Sequence, residues 1–188
     1  MSLVDIMIKY NIRNDTHYEF GTDKEFNHRY CTAFYDKEFL KYKDKEIKLL
    51  EIGVHRGGGL AVFHEYFKNA EICGVDPFDF GAIKNCESFP RIKIFYADGY
   101  KEQFSSFLPS FDIIIDDGPH TKESHLQSLN LYLPKLNSGG VFVIEDIAQM
   151  EWTEEYKMIV PNNMSYEVID AREISGMSDS IMFVVRYD

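Results

Sequence analysis

The sequence predicts an α/β domain, in which a mostly parallel sheet carries helices on both faces and is closed by an antiparallel hairpin. Three observations point there. Short apolar segments rich in β-branched and aromatic residues recur between helix-like stretches. The first of them runs into a glycine-rich turn and then a helix, the start of a βα unit with a ligand place at the strand's C-terminal end. The last two strand-like segments follow one another with no full helix between them, as in a hairpin.

Composition bounds the answer. A chain of 188 residues, 45% hydrophobic and 15% aromatic, fills one core and leaves no room for a second domain. The formal net charge of -11 repels a phosphate backbone, and the lysines from Lys41 to Lys48 are interleaved with Asp44 and Glu46, so nucleic acid is not an expected partner. Apolar runs such as Val141 to Ile144 are far shorter than the roughly 20 residues that span a bilayer. The N-terminus lacks the basic lead and cleavage site of a signal peptide, so a cytoplasmic protein without membrane contact is expected. Cys31, Cys73 and Cys86 match neither a metal motif nor a disulfide framework and read as reduced structural thiols.

Taken in order, residues 1–46 are expected to form an N-terminal helical cap, with Lys24 to Tyr42 a helix over the sheet's C-terminal edge, and 47–188 the ligand-binding core. Strands are expected at Ile47 to Val54, Glu71 to Asp76, Ile92 to Ala97, Phe111 to Asp116 and Gly140 to Glu145, then at Tyr166 to Ala171 and Ser180 to Tyr187. Leu60 to Lys68 and Lys122 to Leu136 carry apolar residues at helical spacing, among them Leu126, Leu129, Leu133 and Leu136, and read as crossovers.

The turn Glu51-Ile52-Gly53-Val54-His55-Arg56-Gly57-Gly58-Gly59 follows the first strand. Glycine at 53 permits a sharp turn and close approach to a ligand, and Gly57 and Gly58 keep the helix N-terminus bare so that its amides face polar groups. The order departs from the G-x-G-x-x-G dinucleotide pattern, which disfavours a nicotinamide cofactor. Asp76 ends the second strand about 20 residues on, where a carboxylate can accept from a ribose diol, and Asp98 ends the third, where it could meet an adenine amino group. Either alone is a common turn former; together they favour an adenosine-type ligand. This set, Glu51 to Gly59 with Asp76 and Asp98, resembles the class I S-adenosylmethionine-dependent methyltransferases. The resemblance implies a Rossmann-like, seven-stranded sheet, with Gly53, Gly57 and Gly58 near the methionine portion, Asp76 on the ribose and Asp98 near the adenine.

Asp116-Asp117-Gly118-Pro119-His120 leaves the fourth strand and Glu145-Asp146 the fifth. Carboxylates converging on one sheet edge repel unless a cation or proton compensates, and hard oxygen ligands favour Mg²⁺, Mn²⁺ or Ca²⁺. His120, three residues beyond Asp117, is placed to act as a general base. These residues, with Leu133-Pro134-Lys135-Leu136, Gly139-Gly140 and Val143 to Asp146, resemble the metal-dependent sugar O-methyltransferases of the macrocin and mycinamicin type, whose N-terminal pattern matches Gly21-Thr22-Asp23-Lys24, His28, Tyr30 and Tyr35. The resemblance implies Mg²⁺ (or Mn²⁺) on Asp117, Glu145 and Asp146, His120 and Asp117 as catalytic residues, and S-adenosylmethionine against Thr22, Lys24, Glu51, Gly53, Val54, Gly57, Gly58, Asp76, Asp98 and Asp116. It also implies a sugar-containing small molecule or glycan as acceptor, with a homo-oligomer left open. Pro119 stands where the family carries serine, and the long N-terminal region of the macrolide enzymes has no counterpart in the chain.

Other readings stay on the page. The acceptor could be a catechol or another vicinal diol, and a non-catalytic adenosylmethionine-binding protein would share the same site. An iron oxygenase built on Asp117, His120 and His125 leaves Glu145, Asp146 and the glycine turn unexplained. His125 is expected on a helix surface, and His64-Glu65 on the exposed side of the first core helix. Trp152 either roofs the acceptor place or simply packs.

Overall fold

A computed structural model describes residues 1–12, 20–86 and 88–188. The expected cap, 1–46, therefore includes residues 13–19, which lie outside the described residues. One seven-stranded sheet runs in the order β3-β2-β1-β4-β5-β7-β6. Its strands are β1 (Lys48–Ile52), β2 (Glu71–Asp76), β3 (Ile92–Tyr96), β4 (Phe111–Asp116), β5 (Leu136–Ile144), β6 (Ser165–Asp170) and β7 (Ile181–Arg186). β1 to β5 pair in parallel, and β7 inserts antiparallel between β5 and β6. The hairpin expected at the end of the chain is thus present, and its connection holds a single helical turn, Arg172–Ser175, stopped by Gly176 at φ +77°.

Side-chain alternation divides the core into two layers. Leu49, Ile113, Ile115, Val141, Val143, Met182 and Val184 face one side, under α1 (Leu3–Lys9), the helical run Cys31–Tyr42 with its short α2 (Asp36–Glu38), and α3 (Gly58–Tyr66). Leu50, Ile52, Ile114, Phe142, Ile144, Phe183 and Val185 face the other, under α6 (Lys122–Tyr132) and α7 (Trp152–Ile159). Burial on both faces explains why these strands read as continuous apolar runs.

Local signals fix the ends. Ser2 and Asp5 form a capping box on α1, and Thr121 and Ser124 form one on α6. α6 stops where Pro134 turns the chain into a 3-10 turn, so the crossover expected through Leu136 ends early and Leu136 already begins β5. The helix expected from Lys24 differs more. Lys24 to His28 is a run of turns, and helix begins only at Tyr30, with a π-helical segment over Cys31–Tyr35. The reason is that Lys24, His28 and Tyr30 all send side chains to the sheet edge, which a regular helix could not do. α4 (Ala82–Cys86) and α5 (Glu102–Phe107), like α1, α7 and the turn at 172–175, are too short or too weakly periodic to be read from sequence.

Candidate active site

The loops after β1, β2, β4 and β5 meet at the C-terminal edge, where the order reverses between β1 and β4. Backbone bonds lock them together: the Asp117 amide donates to Ile52 O at 2.8 Å, Gly53 to Val75 O at 2.9 Å and Glu145 to Asp116 O at 2.9 Å. Gly53 sits at φ +86°, and a Cβ there would lie 1.9 Å from the Asp117 carbonyl oxygen. Only glycine lets the first and fourth loops touch.

Above these loops opens a cleft of about 820 Å³, ample for a nucleoside-sized ligand. Thr22, Glu51, Gly53, Val54, Asp76 and Asp98, all expected at the cofactor, line it, as do Asp117 and His120. Lys24, Gly57, Gly58 and Asp116 do not. Gly57 is the left-handed residue before α3 and packs on Cys86 and Ala82, while a Cβ on Gly58 would lie 1.8 Å from Gly21 O. Those two glycines admit neighbouring backbone and side chains where bare amides facing a ligand were expected. Gly59 does reach the cleft, and its missing side chain makes room for the Glu51 carboxylate.

Asp76 is held in place from its own protein. Oδ2 accepts from the Val54 and His55 amides at 3.0 and 2.9 Å and Oδ1 from the Phe78 amide at 2.9 Å, which leaves a further lone pair on Oδ1 for a ligand. Asp98 accepts from the Tyr100 amide at 3.0 Å and is largely open to the cleft mouth. Asp116, fully buried, accepts from the Tyr100 hydroxyl and, at 3.3 Å, from the Gly118 amide. Burial pushes its carboxyl up to about 6 against the Tyr100 hydrogen bond. Its place is under the Asp117 loop, which it shapes. Tyr100 had no signal in the sequence beyond its position after Asp98.

Beside the cleft lies a carboxylate cluster with one ammonium inside it. Lys24 Nζ is 2.6 Å from Asp117 Oδ2, 2.6 Å from Glu145 Oε2 and 3.3 Å from Glu51 Oε1. The lysine is 2% exposed. Burial alone would lower its pKa, but the Asp117, Glu145 and Glu51 carboxylates outweigh that and raise it well above the usual value. Burial pushes Glu51 up to about 7 despite Lys24, and burial with neighbouring carboxylates raises Glu145 and Asp146. The compensation that converging carboxylates demand is therefore supplied in part by the chain itself.

Two tyrosines complete the inner wall. Tyr35 donates to Glu145 Oε1, and Tyr30 donates to Asp146 Oδ1 at 2.6 Å. His28 Nδ1 lies 3.0 Å from Ser180 Oγ and 3.3 Å from Asp146 Oδ1. On the cleft side, His120 Nε2 is 3.7 Å from Asp146 Oδ2 and 3.9 Å from Asp117 Oδ1. His120 and Asp146 both hold φ +54°, a left-handed conformation uncommon for such residues and typical of sites where surrounding structure over-determines the backbone.

Among the described residues, two groups place potential ligand atoms within 4.8 Å of one another: Asp117, His120 and Asp146, and Asp23, His28 and Asp146. The first reaches the cleft through Asp117 and His120 and offers hard carboxylate oxygens, a donor set that fits a small divalent cation. Glu145, expected with them, has one oxygen on Lys24 and the other on Tyr35. Neither group includes His125, so the iron-oxygenase arrangement is not assembled. His125 is also not on the surface as expected. It is fully buried, with Nδ1 2.9 Å from the Tyr156 hydroxyl, because α7 packs across this face of α6. Trp152 packs edge-on to His125 and lies outside the cleft lining, and His64 is buried against Phe89 where an exposed position was expected.

Residues 50–147 match a family model described as Methyltransferase domain. The 8-demethyl-8-alpha-L-rhamnosyl tetracenomycin-C 2'-O-methyltransferase of Streptomyces olivaceus is 31% identical over 143 residues, covering 70% of this chain and 36% of that protein. The mycinamicin VI 2''-O-methyltransferase of Micromonospora griseorubida is 30% identical over 132 residues, covering 64% of this chain and 32% of that protein. The chain thus spans about a third of the length of these curated relatives. Of solved structures, MycE methyltransferase from the mycinamycin biosynthetic pathway in complex with Mg and SAH superposes with a TM-score of 0.74 at 21% identity, covering 100% of this chain and 54% of that one. Its complex with Mg, SAH and mycinamycin VI gives a TM-score of 0.65 at 26% identity over 95% of this chain and 43% of that one. With the sheet order, the glycine turn and these matches in agreement, the chain belongs to the methyltransferase domain family.

Proposed function

We propose that the protein transfers a methyl group from S-adenosylmethionine to a hydroxyl of a sugar or glycosylated small molecule, with a divalent cation, Mg²⁺ or Mn²⁺, at Asp117, Glu145 and Asp146 and with His120 as general base. The observation that carries this is the joining of two halves in one place: Asp117 and His120 line the same cleft as Gly53, Asp76 and Asp98, and a carboxylate oxygen of Asp146 lies within 4.8 Å of their ligand atoms. The sugar rests on the relatives, which act on rhamnosyl tetracenomycin-C and mycinamicin VI.

Asp76 and Asp98 would receive the ribose and adenine ends of the cofactor and Glu51 its methionine end, in the cleft that Asp117 and His120 also line. Bound at the carboxylates, the cation would supply charge neutralisation and acidify a hydroxyl near it. In the transfer, the acceptor oxygen forms a bond to the methyl carbon as the carbon–sulfur bond breaks. S-adenosylhomocysteine leaves, and the hydroxyl proton passes to His120 Nε2, the nitrogen that faces Asp117 and Asp146. Tyr30 and Tyr35 hold Asp146 and Glu145 in fixed orientations, which limits reorganisation during the step.

Calorimetric titration of S-adenosylhomocysteine, with Mg²⁺ and with EDTA, tests the cofactor half before any acceptor is known. Saturable binding is expected, followed by Mg²⁺-dependent methylation in a panel of rhamnosylated and other glycosylated acceptors with catechols as comparison. Folded protein that binds no S-adenosylhomocysteine would overturn the reading, and turnover of catechols alone would overturn the sugar.

A further inference from the structure

Lys24 is the single ammonium inside the carboxylate cluster among the described residues, and its position has a consequence for the cation. All three of its N–H groups have a carboxylate in reach, on Glu51, Asp117 and Glu145, and the lysine, Glu51 and Glu145 are buried from solvent. Two of those three carboxylates are the ones proposed to hold the divalent ion. Asp117 Oδ1 and Asp146 Oδ2, at 3.9 and 3.7 Å from His120 Nε2, are not among the oxygens that Lys24 takes.

We propose that Lys24 is the resident counter-cation of this cluster, a positioning residue that takes one oxygen each of Asp117 and Glu145 and thereby sets how tightly the divalent ion is held. The inference rests on the reading that Asp117, Glu145 and Asp146 hold such an ion. Glu51, Asp117, Glu145 and Asp146 bring four carboxylates to one buried place, and one ammonium leaves enough negative charge for a divalent ion while preventing the carboxylates from flying apart without it. Lysine and ion share ligands and repel each other, so affinity is held down while the site stays folded when empty.

The lysine is delivered from outside the sheet. Its carbonyl accepts from the amides of Tyr30 at 2.7 Å and Cys31 at 3.2 Å, which ties it to the segment that also carries Tyr30 and Tyr35. Gly58 lets Gly21 O come in against the start of α3, which seats the turn that precedes Lys24. Cap and cluster therefore form together.

The test uses the EDTA-dialysed protein, its Lys24→Met and Lys24→Arg variants, Mn²⁺ titration followed by electron paramagnetic resonance of the free ion, and thermal unfolding with and without Mn²⁺. Removing a positive charge a few ångströms from the ion should tighten Mn²⁺ binding at least tenfold, as an order of magnitude from Coulomb's law in a partly buried site. Lys24→Met should also melt lower than wild type in EDTA and gain more from Mn²⁺, while Lys24→Arg stays near wild type in affinity. A merely structural lysine would lower the melting temperature without tightening the ion. If wild type binds Mn²⁺ and Lys24→Met binds it equally or more weakly, the role of Lys24 is overturned and the metal reading stands. If only Lys24→Met binds, Lys24 fills the cation's place in wild type, and the metal reading fails for the natural chain. If neither binds, both fail. Should Lys24→Met not fold, Lys24→Met with Glu51→Gln is compared with Glu51→Gln alone, so that the ammonium is again the one charge that differs, and tighter Mn²⁺ binding by the double variant is expected; equal or weaker binding overturns the role of Lys24.

Discussion

The Tyr30 hydroxyl donates to Asp146 Oδ1 at 2.6 Å, and the Asp146 amide donates back to the Tyr30 oxygen at 3.2 Å, so one side chain from the N-terminal segment fixes both the carboxylate and the backbone of a residue 116 positions later. Asp146 also holds φ +54°, and this pair of bonds is what keeps its other oxygen turned toward His120.

Tyr30→Phe should therefore loosen Asp146. Loss of a buried hydrogen bond to a carboxylate is expected to cost about 1–3 kcal/mol in stability and 10–100-fold in affinity for a divalent ion, as orders of magnitude. Thermal unfolding and Mn²⁺ titration measure the two; unchanged affinity would show that Tyr30 does not orient the site.

His120→Ala should keep S-adenosylhomocysteine binding within a few-fold and lose methyl transfer by about 10²–10⁴, the usual contribution of a positioned base. Calorimetry and single-turnover methylation separate the two effects. Retained turnover would assign the proton to another group.

Gly53→Ala is expected to destabilise the fold by about 2–4 kcal/mol, because it adds both a left-handed non-glycine residue and a Cβ overlapping the Asp117 carbonyl. Denaturant unfolding measures this. A variant as stable as wild type would mean that the β1 and β4 loops part without loss.

Acid should act on His125. Burial, with the charge of His120, depresses its imidazole to about 3 from 6.5, so the unfolded chain binds a proton in this window and the folded chain does not. Stability attributable to His125 is full above pH 6.5 and falls toward pH 3, by up to about 1.4 kcal/mol per pH unit. His125→Gln should flatten the stability profile by that slope relative to wild type. Parallel profiles would place the proton elsewhere.

Much of this architecture is legible along the chain because its strands are buried on both faces. Glu71–Asp76 and Phe111–Asp116 form with the bounds expected of them, since continuous apolar runs ending in aspartate have little other use. Short helices such as α4 and α5 are not legible, because a few residues carry no measurable period and are held by packing. His125 shows the same limit inside a long helix. It shares a helix face with buried Leu129, yet a lone imidazole there reads as polar surface, and the approach of α7 and Tyr156 is what covers it.

By itself, the sequence determined the sheet, the glycine turn and the acidic residues that end its strands, because these are local patterns of burial and turn chemistry. Tertiary structure alone decided which of those groups meet. It put Gly57 and Gly58 to packing, folded Asp116 beneath the Asp117 loop, and brought Lys24 across to Asp117 and Glu145. The physical reason is charge: carboxylates gathered at one buried edge must be compensated, and a cation supplied from a distant segment leaves no trace in the spacing of the residues it serves.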